Sequence, residues 1–183
     1  EMQVDYPVQI YSYVIPAPAV GTPDYYKFNL LRDLLFSNSN SILNNSIVEK
    51  GNLAYAIQPT ADDSRLYSNI ASFDVIMQAQ MGNAKVKKMI SKEIYDIINE
   101  GIDQELIDNY VKNLEASQTF QNFSNQAIAD KLGFAEYYFM DYNKYNQTLD
   151  SYKSIKAEQL TDICKKYFNP ENIKVINIKP AME

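Results

Sequence analysis

YVIPAPAVGTPDYYKFNLLRDLLFSNSNSILNNSIVEKGNLAY, residues 13–55, is the stretch from which the rest of the chain can be read. Locally it is the end of a strand, a Pro/Gly turn, a helix, a polar break, a second helix and the start of a new strand. Pro16, Pro18 and Gly21 punctuate the turn, because proline fixes φ and glycine tolerates positive φ at little cost. Thr22-Pro23-Asp24 has the form of a helix start: a hydroxyl at the N-cap, proline at the first helical position and an acid in the first turn. Phe28, Leu31, Leu34 and Leu35 follow at helical spacing and predict a helix over 23–36. Ser37-Asn38-Ser39-Asn40 breaks it, since short polar side chains compete for backbone hydrogen bonds. A shorter helix over about 41–50 is expected to stop at Gly51.

Upstream, residues 3–15 predict a half-buried strand with Val4, Tyr6, Val8 and Ile10 on one face. Downstream, Leu53, Tyr55 and Ile57 alternate as a second strand. A third is expected from about Leu66 to Ala79, with Tyr67, Ala71, Phe73, Val75 and Met77 sharing a face. Gly82-Asn83 opens a helix striped by Val86, Ile90, Ile94 and Ile97 and closed by Gly101; Asp103 caps the next. Another helix begins near Ser124, smaller ones cover about 145–152 and 157–168, and Ile173 to Ile178 form a closing strand. Strands early, helices in the middle and a strand at the end indicate an α+β fold.

Composition narrows the function. The 183 residues suit a single domain over 1–183 with a sizeable core, and 46% hydrophobic with 22% charged residues is ordinary for a globular chain. A net charge of −6 argues against nucleic acid as a partner, and no apolar run is long enough for membrane insertion as a helix. The start at Glu1 is what a fragment of a longer protein would show. Cys164 stands alone, so no internal disulfide is possible. Histidine is absent altogether. Hydrolytic zinc takes imidazole ligands, and Ser or Cys nucleophiles take a histidine base, so the chain by itself is expected to be no zinc peptidase and to hold no cofactor.

The runs IPAPAVGTPDYYKFNLLRDLL and VEKGNLAY, with EGIDQELIDNYVKNLEASQTFQNF and the segment that follows to NIKV, resemble the M16 (pitrilysin/insulinase) zinc peptidases. More narrowly they resemble the C-terminal, non-catalytic half-domain of a bacterial member, and the likeness covers nearly the whole chain. The resemblance implies a mostly antiparallel sheet with helices packed on one face, in agreement with the α+β reading. It implies a partner half carrying H-x-x-E-H, in the same chain or a separate subunit, which would hold the zinc and cut a peptide substrate that this half helps to enclose. The alternative is a structural or protein-interaction module of the same fold with no protease role. An exported, periplasmic location is what bacterial relatives suggest.

Residue by residue, the resemblance gives less. Laid onto the first helix, the H-x-x-E-H slot reads Asn29-Leu30-Leu31-Arg32-Asp33, with no metal ligand set; Asp33 alone reads as a solvated helix residue. Non-catalytic halves can supply an Arg/Tyr pair that holds the substrate backbone. Tyr55 matches the Tyr, and is the one candidate substrate-binding residue, although its place beside Leu53 and Ile57 favours a core or cleft-lining aromatic. Val48 stands where the Arg is expected; Lys50 carries charge nearby but lacks the planar fork. The family's Gly-rich break followed by Ser-Ser-Arg-Leu is represented only by Ser37 to Ser41 and Ile42-Leu43. Tyr25, Tyr26, Tyr137 and Tyr138 are potential contact aromatics, while Lys85, Lys87 and Lys88 read as a solvated helix face.

Overall fold

The structure, a computed structural model, describes residues 2–4, 8–60, 69–78, 82–121 and 124–180. Its strands are β1 (Met2–Val4), β2 (Ile10–Ala17), β3 (Ala54–Pro59), β4 (Asn69–Met77) and β5 (Lys174–Pro180). They form one five-stranded sheet in the order β1-β5-β2-β4-β3, antiparallel except where β1 runs parallel to β5. The single strand expected over 3–15 is instead two strands on opposite sides of β5. Tyr6 of that expectation lies outside the described residues, as do 66–68 and 79 of the expected third strand.

The helices are α1 (Tyr25–Phe36), α2 (Asn83–Glu100), α3 (Gln104–Gln121), α4 (Asn125–Phe139), α5 (Lys144–Lys153) and α6 (Ala157–Tyr167), with a short π-helix at Asn44–Glu49. They pack on one face of the sheet. Tyr13 and Ile15 of β2 and Ala71, Phe73, Val75 and Met77 of β4 are buried beneath them. Tyr13 stacks on Phe73 with ring centroids 5.0 Å apart, and Phe36 from α1 closes on the same ring at 4.4 Å. The core side of β2 is therefore its odd-numbered face, and Ile10 belongs to the other side, contrary to the alternation read from the first residues.

α1 lies between the sheet and the outer helices, with Phe28 to Leu31 and Leu34 to Phe36 all buried. It starts two residues later than the Thr-Pro-Asp signal suggests. Thr22 Oγ1 donates to the Ala19 carbonyl at 2.8 Å instead of capping, and Asp24 is the N-cap through its backbone carbonyl, which accepts from Phe28 N–H at 2.8 Å. The Asp24 carboxylate turns to the last turn of α6, accepting from Lys166 Nζ at 2.7 Å and Tyr167 OH at 3.0 Å. Phe28 and Phe168 stack at 5.1 Å beside this link.

The second helix of the opening stretch is wound wider than expected. Lys50 N–H bonds to the Asn45 carbonyl, five residues back, at 2.9 Å. Gly51 does end it, for a reason of space: a Cβ there would lie 2.4 Å from the Ser46 carbonyl oxygen. The left-handed turn that frees the chain toward β3 is made by Asn52, at φ +48°.

Candidate functional site

Among the described residues, one face of the sheet carries no helix, and its side chains line up in rows fixed by the strand register. Ala56, Ile76, Ile10 and Ile178 form an aliphatic row across β3, β4, β2 and β5. The next row is Gln58, Asp74, Ser12 and Ile176, followed by Ser72, Val14 and Lys174. Ile70 opposite Pro16 ends the series, with Ile70 54% exposed and Ile176 45% exposed. The face is therefore mixed, an aliphatic row and exposed Ile70 and Ile176 alongside polar residues.

Tyr55 sits at the end of this face. Between Ala54 and Ala56 the β3/β4 ladder slips by a bulge: Ala54 pairs with Met77, Ala56 with Ile76, and Tyr55 is the extra residue. The bulge breaks the alternation on which the core reading rested. Leu53 and Ala54 are both buried, and Tyr55 is thrown outward, 59% exposed. Its side chain is thus exposed rather than packed. Val48 packs against the core in the place where an Arg was sought, and Lys50 is exposed at the following turn.

The helix that would carry zinc ligands in a catalytic half is built for another purpose. Asn29 is buried, Leu30 and Leu31 are wholly inside the core, and Arg32 pairs with Asp33 at 3.0 Å. Those residues do not fit a zinc ion, and no group of three or more His, Cys, Asp or Glu is close enough for one among the described residues. Asp33 is no solvated residue: it accepts from Arg32 Nε at 3.0 Å, from Ser37 Oγ at 2.7 Å and from the Tyr110 hydroxyl of α3. It ties α1 to α3. Burial first, and then the nearby Asp33 charge, push the Tyr110 and Tyr152 phenols well above the ordinary tyrosine range. Cys164 is buried among α6 and α2 residues, and burial pushes its thiol up to about 12, so it is no nucleophile at neutral pH.

Of the other residues the sequence singles out, Tyr25 and Tyr26 meet edge to face at 5.3 Å and line a cleft of about 360 Å³ between α1, α3, α4 and α5. Tyr137 and Tyr138 pair similarly at 4.8 Å near the end of α4, on the helical side of the molecule. Lys85, Lys87 and Lys88 are exposed along α2. None of these joins the helix-free face. Sequence reasoning missed that face's polar members, Ser12, Gln58, Ser72, Asp74 and Lys174; their period-two placement within the strands was the available signal.

The fold has counterparts among known proteins. A family model described as the peptidase M16 inactive domain matches residues 2–114. A protease from Helicobacter pylori superposes with a TM-score of 0.86 at 16% identity, over 98% of this chain and 43% of its own. The inactive peptidase domain of a Bordetella parapertussis protein described as a zinc protease superposes at 0.82 and 15% identity, over 100% of this chain and 96% of its own. The periplasmic protease PqqL from Escherichia coli gives 0.69 at 15% identity, over 98% of this chain and 20% of its own. The chain thus spans less than half of the Helicobacter protease and about a fifth of PqqL, but nearly all of the Bordetella domain. A sequence comparison with curated proteins finds no match.

Proposed function

Because the chain belongs to the peptidase M16 inactive-domain family, we propose that it is the non-catalytic half of a zinc metallopeptidase, one domain of a longer protein or complex. A partner half bearing H-x-x-E-H supplies the zinc and the general base. This half supplies a wall: it encloses an unfolded peptide, holds it by contacts, and keeps water from the site. The observation that carries the reading is the helix-free sheet face, with its aliphatic row and outward Tyr55, on a chain without a single histidine. In this reading Tyr55 touches the substrate, its ring against a side chain and its hydroxyl within reach of a peptide carbonyl. Zinc belongs to the partner half alone. The periplasmic relative supports an exported location, and no helix among the described residues is long and apolar enough to cross a membrane.

One observation favours the alternative of a structural module: where an Arg was expected, Val48 packs against the core, and Lys50 at the following turn is exposed. Peptide cleavage by the catalytic half, measured with and without this chain, decides between them. The chamber reading expects a loss of kcat/KM of at least about tenfold when this half is omitted. Equal cleavage would leave only the structural role.

A further inference from the structure

On the helical side of the molecule, a cleft of about 360 Å³ stays open between α1, α3, α4 and α5. Packed helices interdigitate and leave few voids larger than a water molecule, so a hollow of this size needs a cause. Its walls are rings. Tyr26 of α1 is held edge to face between Tyr25 and Tyr152 of α5, each with ring centroids 5.3 Å from its own. On α4, Phe134 and Phe139 meet at 6.2 Å, and Tyr145 of α5 adds a sixth ring. Rings braced by one another do not fold into a gap as flexible side chains do. The residue that α4 buries beside the gap, Ala135, is too small to fill it. The volume falls in the range of small-molecule sites, which begins at about 300 Å³.

The charges at the cleft narrow what it can take. Among the described residues, its charged lining is Asp130 and Lys131, one of each sign. Asp130 accepts from Gln126 Nε2 at 2.9 Å, and Lys131 Nζ lies 5.7 Å from the centre of the Tyr145 ring. The pair offers an ion no net attraction, and the ammonium already over Tyr145 disfavours a second cation among these rings. What is left to hold a ligand is ring faces and edges, with the Gln118 amide and the Thr148 hydroxyl as polar contacts. A flat ring gains most from such walls, because offset and edge-on ring packing adds to plain area burial. We propose that this cleft binds a small neutral aromatic molecule of one or two fused rings. The proposal is independent of the helix-free face.

The test uses the purified 183-residue chain, which contains no tryptophan, so the fluorescence of added indole, excited beyond the tyrosine absorption, comes from the ligand alone. Titration is expected to saturate at one indole per chain. Phenol should displace it about fivefold better than cyclohexanol, which has nearly the same size and the same hydroxyl but no π-system. Ala135→Leu puts a branched side chain into the cleft and should abolish indole binding with the circular dichroism unchanged. Absence of saturable binding by the wild-type chain overturns the proposal, as does displacement by cyclohexanol equal to that by phenol. Those two measurements need no variant, so misfolding of Ala135→Leu would not rescue it. Full indole binding by a folded Ala135→Leu puts the ligand elsewhere and overturns the cleft as its site. A blocked tryptophan tripeptide that binds more tightly than indole would overturn the free molecule as the source of the ring, in favour of a polypeptide side chain.

Discussion

At the scale of single residues, two aspartates, Asp33 in α1 and Asp24 at its N-cap, show how much a carboxylate's role depends on what the fold brings to it. Asp33 gathers Arg32, Ser37 and Tyr110. Asp33→Ala leaves three donors without their acceptor, and should cost about 2 kcal/mol in urea unfolding; a change within error would mean the cluster is loosely held. Asp24 is held below the usual carboxylate range, first by its hydrogen bond from Lys166. A carboxyl group depressed on folding stabilises the native state above its unfolded value, near 3.9, and loses that contribution as pH falls through the lower folded value. Asp24→Asn should therefore flatten the acid limb of the stability profile below about pH 4 and leave its slope near neutrality unchanged. Neither role was legible in the sequence, because Tyr110 and Lys166 lie 77 and 142 positions away from their partners. Tyr55 was legible as a candidate, but its exposure was not, since a bulge is invisible in an alternating pattern.

At the scale of elements, local signals did well wherever one side of an element met the core. The stripe of α2 and its closure at Gly101, with φ +86°, follow the sequence. So does α4, whose Ser124 hydroxyl accepts from Ala127 N–H at 3.4 Å. They did less well in the π-helix, where apolar spacing alone does not distinguish four- from five-residue hydrogen bonding. The exit from that helix gives a sharp expectation. Gly51→Ala puts a methyl carbon 2.4 Å from a backbone oxygen, so the backbone itself must move. A loss of roughly 2 kcal/mol in thermal or denaturant unfolding is expected. Asn52→Gly, at the left-handed position, should by contrast be close to neutral.

At the scale of the whole molecule, the sheet separates two tasks. One face holds the core, where Tyr13, Phe36 and Phe73 pack ring on ring; the other carries an aliphatic row beside two rows of mixed polar and apolar residues. If the open face walls the peptide, Ile76→Lys should lower kcat/KM of the assembled halves by about tenfold while changing the stability of this chain by no more than about 1 kcal/mol. Unchanged kcat/KM with that variant would move the peptide contact elsewhere on the molecule. By itself the sequence determined the α+β class, most helices, and the lack of any imidazole with which to hold zinc, because periodicity and side-chain chemistry are local properties of the chain. Only the tertiary structure decided which face of β2 is core, why Tyr55 points outward and what Asp33 and Asp74 face. Those follow from strand register and from contacts between segments far apart in sequence, which no short window of residues encodes.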